Sequence, residues 1–110
     1  MACELLHSGQ DPVPLQQIDS AQVIAGAPSA GVVELPVFDL ACGLWEHSTG
    51  VSTDVEVDEV FVVLSGRARI EVEGEETLDV GPGDVVKLTA GARTTWTVTE
   101  QLRKFWVTPH

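Results

Sequence analysis

At 110 residues the chain is one domain, long enough to hide roughly two-thirds of its unfolded surface. A hydrophobic content of 44% excludes disorder for most of its length. Seventeen acidic against six basic side chains give a formal net charge of −11, which repels phosphate backbones and anionic bilayers and so excludes nucleic acid and membrane surfaces as partners.

Residues 1–17 carry no basic cluster and no long apolar run, so no secretory leader is expected. No stretch of about 18 apolar residues exists for a membrane span. Cys3 and Cys42 are the only cysteines, which suggests reduced thiols and a cytoplasmic protein. Without CxxC or a Cys/His cluster there is no zinc finger. Cys42, in an apolar stretch, reads as a small core residue or as a nucleophile.

Residues 1–31 are poor in strand signal, with Pro12, Pro14 and Pro28 and the small residues of AGAPSAG. They predict an arm across the outside of the main domain. One helical turn is expected from Asp19-Ser20, which offers an N-cap before AQVIA. The remainder, 32–110, is read as the domain proper.

VVELPVFDLACGLWEH is strand-like, with Pro36 marking an edge or a break. In VSTDVEVDEVFVVL, Asp54, Glu56 and Asp58 alternate with Val55, Val57 and Glu59, the period-two pattern of a half-buried strand. That alternation makes the three acids a solvated stripe. Beyond a turn at Ser65-Gly66, Ala68, Ile70 and Val72 take one face while Arg67, Arg69, Glu71 and Glu73 take the other. EETLDV, DVVKLTA, TTWTVTE and RKFWVTP follow, with turns at Glu73-Gly74 and in GPGD, Gly81 to Asp84. Strands recurring about every ten residues argue for an all-β sandwich or barrel.

Parity then nominates a site. Glu59 shares its face with Val57, Phe61 and Val63, toward the barrel interior. A carboxylate there needs a partner: it is either the pocket's acid, base or ligand anchor, or a structural acceptor for a hydroxyl, Arg93 or Arg103. Trp96 shares its face with Thr94, and Trp45 with His47. The indoles read either as core filler or as stacking surfaces for a small planar or cationic ligand, and His47 as a satisfied histidine or a pocket group. Only one of the neighbours Arg103 and Lys104 can face inward, where a cation would hold Glu59 or a ligand carboxylate. The candidate ligand-binding set is thus Trp45, His47, Glu59, Phe61, Thr94 and Trp96, with Glu59 the candidate catalytic group. A metal on Glu59, His47 and Asp54 is conceivable, but too few nitrogens converge, so no metal or other cofactor is expected. Val60, Val62 and Leu64 form an outward apolar row that wants cover from the arm or from a second copy, hence an expected homodimer.

Glu59, six residues and Gly66, followed by Gly83, DVVKL, Thr89, Ala90 and Gly91, resemble the two motifs of the cupin superfamily, with Thr89 where a Pro is usual. The similarity spans residues 43–107. It implies a double-stranded β-helix, or jelly-roll barrel, with a pocket at one end. Trp45, Asp58-Glu59 with Phe61, and the closing Trp96 to Lys104 further resemble small single-domain cupins related to ureidoglycine aminohydrolase. Metal-binding cupins supply two His and a Glu from the first motif and a His from the second. Here the paired His positions fall on Thr53 and Val55, or Ser52 and Asp54, and the last on Thr94, so only Glu59 remains. The resemblance therefore implies a container for a small polar metabolite without the metal. Its alternative is a metal-independent isomerase, hydrolase or lyase on a small nitrogenous or sugar-like substrate, with Glu59, and His47 as its partner, doing acid–base work.

Overall fold

The computed structural model describes residues 2–109. These residues form nine strands: β1 (Gln16–Gln17), β2 (Val23–Ala25), β3 (Ser29–Glu34), β4 (Ala41–His47), β5 (Gly50–Val55), β6 (Glu59–Val72), β7 (Leu78–Val80), β8 (Val85–Leu88) and β9 (Arg93–Thr108). Among the described residues the only helical element is a 3-10 turn, Ser20–Gln22, whose Ala21 amide donates to the Asp19 carboxylate at 3.1 Å. Among these residues no helix is long and apolar enough to cross a membrane. The expected all-β barrel is present.

The barrel is organised around β9. One edge of this 16-residue strand pairs along its length with β6, from Val60 opposite Val107 to Val72 opposite Thr94. Its other edge pairs with β4 over 102–108 and with β5 over 93–98. β4 and β5 thus run as one line along β9, interrupted only at residues 48–49. Outside them lie β3 then β1 at one end and β2 at the other, while β7 and β8 pair with β6. The two long strands bend where their register slips, between Val63 and Ala68. Gly66 permits the bend: its φ is +88°, and a Cβ there would meet the Gln101 carbonyl oxygen at 2.1 Å.

Inward alternation from the two strands builds the core. Phe61, Val63, Ala68 and Ile70 of β6 meet Trp96, Val98 and Leu102 of β9, closed by Val80, Val86 and Leu88. The GPGD turn is held by Asp84, whose carboxylate accepts from Gly81 N at 2.8 Å.

Several expectations change on contact with this fold. The boundary at residue 31 falls inside β3, and β1 and β2 add short edge strands from the segment read as an arm. The run at 32–47 divides into β3 and β4, with Pro36 in the intervening turn and Phe38 at its tip, 98% exposed at φ +50°. The outward apolar row is real in part: Val60 and Leu64 are exposed and Val62 is half-buried.

The acidic stripe holds for Asp54 and Asp58, which are exposed, but not for Glu56. β5 stops at Val55, and Glu56 instead pairs its backbone with the turn before β9, donating to Ala92 O at 2.9 Å and accepting from Gly91 N at 2.9 Å. That bend resets the alternation. Glu56 turns inward and is buried, while Val55 and Val57, expected to alternate and face the interior respectively, are each 59% exposed. Asp58 does stay outside, where its carboxylate accepts from Ala90 N at 2.8 Å.

Candidate functional site

The line formed by β4 and β5, the inner end of β6 and the middle of β9 enclose a cavity of about 530 Å³, a size suited to a small metabolite. Trp45, His47, Ser52, Glu56, Glu59, Trp96 and Lys104 line it, with Asp19, Gln22 and Asp54 toward the rim.

At its floor sits a buried ion pair. Lys104 faces inward because it stands opposite Trp45 on β4 and Val63 on β6. Its Nζ lies 2.6 Å from Glu59 Oε2, with side-chain exposures of 6% and 12%. Three rings surround the ammonium: Phe61 at 4.3 Å, Trp45 at 4.6 Å and Trp96 at 5.1 Å from their centroids. The ring faces carry negative potential, so they stabilise a cation that has little water. The neighbouring Arg103 points the other way. Its guanidinium donates to the carbonyls of Ser8, Gly9 and Asp11 and pins the N-terminal segment to the outside of the barrel.

Trp45 and Trp96 are tilted against each other at 5.5 Å, and Phe61 backs Trp96 at 5.8 Å. The Trp96 indole N–H donates to Glu56 Oε1 at 3.2 Å and to Thr94 Oγ1 at 3.0 Å, and the Thr94 hydroxyl donates to Glu56 Oε1 at 2.8 Å. Burial drives the Glu56 carboxyl upward from its ordinary pKa, with the Asp54 charge adding to it; the Thr94 and Trp96 bonds oppose the rise. His47 is driven the other way. Its burial disfavours the imidazolium and outweighs the bond to Ser48.

These two shifts act on stability from opposite sides. Above the ordinary Glu56 range the folded chain still holds a proton that the unfolded chain has released, so stability falls as pH rises through that window. Below the ordinary His47 value the unfolded imidazole takes a proton that the folded one refuses, so stability falls as pH drops. Glu56→Gln is therefore expected to flatten the decline of stability on the alkaline side of about pH 4.5, measured by urea unfolding up to about pH 8. An unchanged slope would mean that the Glu56 carboxyl is solvated.

The structure brings Trp45, His47, Glu59 and Trp96 to one cavity. Phe61 and Thr94 lie behind its wall: both are fully buried, Phe61 under the ammonium and Thr94 as the donor that fixes Glu56. Alternation along the strand missed Glu56, because the bend after Val55 is invisible to periodicity. Ser52, considered only as a former ligand position, lines the cavity beside His47. Glu59 and His47 are not a free acid–base couple, since each is bonded elsewhere, to Lys104 and to Ser52.

The donor set does not suit a transition metal. Among the described residues no group of three His, Cys, Asp or Glu converges to hold one. Glu59, the one retained ligand position, is already bonded to a tethered ammonium.

The family model described as EutQ-like cupin domain matches residues 35–106. Among curated proteins no sequence matches significantly. Solved structures share the fold. A DUF861-family protein of unknown function from Pseudomonas syringae superposes with a TM-score of 0.73 at 23% identity, over 91% of this chain and 45% of that one. The EutQ protein of Clostridium difficile gives 0.63 at 20%, over 74% and 62%. Ectoine synthase from P. lautus gives 0.61 at 20%, over 83% and 66%. The chain thus spans 62% of the length of the Clostridium EutQ protein.

Proposed function

This chain belongs to the EutQ-like cupin domain family, and we propose that its cavity binds a small neutral or cationic polar molecule without the help of a transition metal. The charge of the wall carries this reading. Asp19, Asp54, Glu56 and Glu59 face a single ammonium, that of Lys104, which Glu59 already neutralises. An anionic ligand entering such a cavity meets repulsion and finds no free cation, whereas an ammonium, amidine or urea meets carboxylate acceptors and two indole faces.

The order of Trp45, Asp58-Glu59 with Phe61, and Trp96 to Lys104 supports kinship with the small cupins related to ureidoglycine aminohydrolase. From that kinship, and from the EutQ and ectoine synthase neighbours, we take the barrel and its pocket and no reaction. Beside Glu59, the one ligand position that remains, Lys104 supplies a fixed positive charge of its own.

Thermal unfolding in the presence of small ligands tests the proposal. Guanidinium, amine and urea compounds are expected to raise Tm in a concentration-dependent way, and carboxylates of similar size at equal ionic strength are not. Carboxylates stabilising the protein more than amines, or no compound of either class stabilising it, would refute the charge assignment.

A further inference from the structure

We propose that Ser52 and His47 form a nucleophile and its general base, poised for acyl transfer on a small ester that enters the cavity; the proposal rests on the cavity being a ligand site and adds a reaction to it. Ser52 Oγ lies 2.8 Å from His47 Nε2, and His47 Nδ1 lies 2.6 Å from the carbonyl oxygen of Ser48. A carbonyl oxygen only accepts, so the ring proton is assigned to Nδ1. Nε2 is then a bare lone pair, and the Ser52 hydroxyl must donate to it. That is the direction in which a serine loses its proton when it attacks a carbonyl. The Ser48 carbonyl orients the ring and fixes its tautomer, the part that a carboxylate plays in serine triads.

The backbone explains why these residues meet. His47 ends β4 and Ser52 lies in β5, and both strands follow the same edge of β9. The interruption at residues 48–49 lets two inward side chains five positions apart approach each other. Gly50 is required at this kink: its φ is +145° and a Cβ would meet Pro28 at 2.9 Å. Ser52 is 5% exposed and His47 1%, yet both line the cavity. Burial disfavours the imidazolium, so Nε2 is left unprotonated and able to accept the Ser52 proton.

The step balances without a cofactor. Ser52 Oγ bonds to the ester carbonyl carbon and its proton passes to His47 Nε2. The tetrahedral oxyanion collapses, the bond to the leaving alkoxide breaks, and that oxygen departs with the proton from His47. Water then repeats the sequence: His47 takes its proton, its oxygen bonds to the acyl carbon, and Ser52 leaves and recovers the proton. One ester and one water become one acid and one alcohol. The acidic wall restricts the substrate to neutral or cationic esters.

The test is labelling of the intact chain with a neutral alkyl fluorophosphonate, read by intact mass and peptide mapping, alongside hydrolysis of p-nitrophenyl acetate. A single adduct is expected on Ser52. It should be absent in Ser52→Ala and should form at least about 100-fold more slowly in His47→Gln. The labelling rate should hold across neutral pH and fall only at acid pH below the ordinary imidazole range. The other titratable groups of this wall are Glu56, Glu59 and Lys104, with Asp19 and Asp54 at the rim. No adduct, an adduct on another residue, or labelling unaffected by His47→Gln would overturn the proposal. Mapping the unsubstituted chain decides the first two outcomes even if a variant fails to fold. Absent labelling with an intact thermal response to amines removes the chemistry and leaves the ligand site; loss of both removes the site.

Discussion

Replacing Lys104 by methionine is expected to destabilise the fold by about 3 kcal/mol, because the change strands the Glu59 carboxylate in a place with little access to water. Methionine keeps the length of the side chain and can still touch the rings of Trp45, Phe61 and Trp96, so the loss isolates charge from shape. The double variant Glu59→Gln with Lys104→Met should recover most of the loss, since a buried pair removed together leaves no uncompensated ion. Urea unfolding at neutral pH, with an unchanged m value, checks both. A single-variant loss below about 0.5 kcal/mol would mean that water reaches the pair and that it behaves as a surface bridge.

Phe61→Ala is expected to cost about 3–5 kcal/mol, the usual range for emptying a buried aromatic site. The ring stands in the core between Trp96 and the strands beyond, and it also forms one wall around the Lys104 ammonium. Phe61→Leu should lose roughly half as much, because more of the volume stays filled. Denaturant midpoints measure the cost. A shift in Trp96 emission in the alanine variant but not in the leucine variant would place the vacated volume at that indole. Equal stability of the two variants would mean that the site collapses around the gap.

Much of this is legible in the sequence. The Glu73-Gly74 and GPGD turns and the period-two runs marked the strand segments of β6 to β9, although β6 runs unbroken through Ser65-Gly66, where a turn was expected, and TTWTVTE and RKFWVTP join into the single strand β9; shared parity put Trp45 with His47 and Thr94 with Trp96. The illegible parts have specific causes. The choice between Arg103 and Lys104 depends on the register slips between Val63 and Ala68, which shift the phase of β9 relative to β6. Glu56 escaped because its conformation is dictated by Ala92 and Gly91, more than thirty positions away. The two-residue strand of Gln16–Gln17 has no period to detect; the hydrogen bonds of β3 create it. The Ser52–His47 contact needs the break at residues 48–49, which no local propensity specifies.

The placement of β9 has a consequence for how the chain reaches this form. It is the ninth strand in order, yet β4, β5 and β6 all depend on it for partners. On a ribosome the earlier strands emerge with their main pairing edges bare and must wait for β9. Closure is then a late event with distant contacts, which makes refolding slow and leaves the waiting strands open to aggregation or to capture by a chaperone.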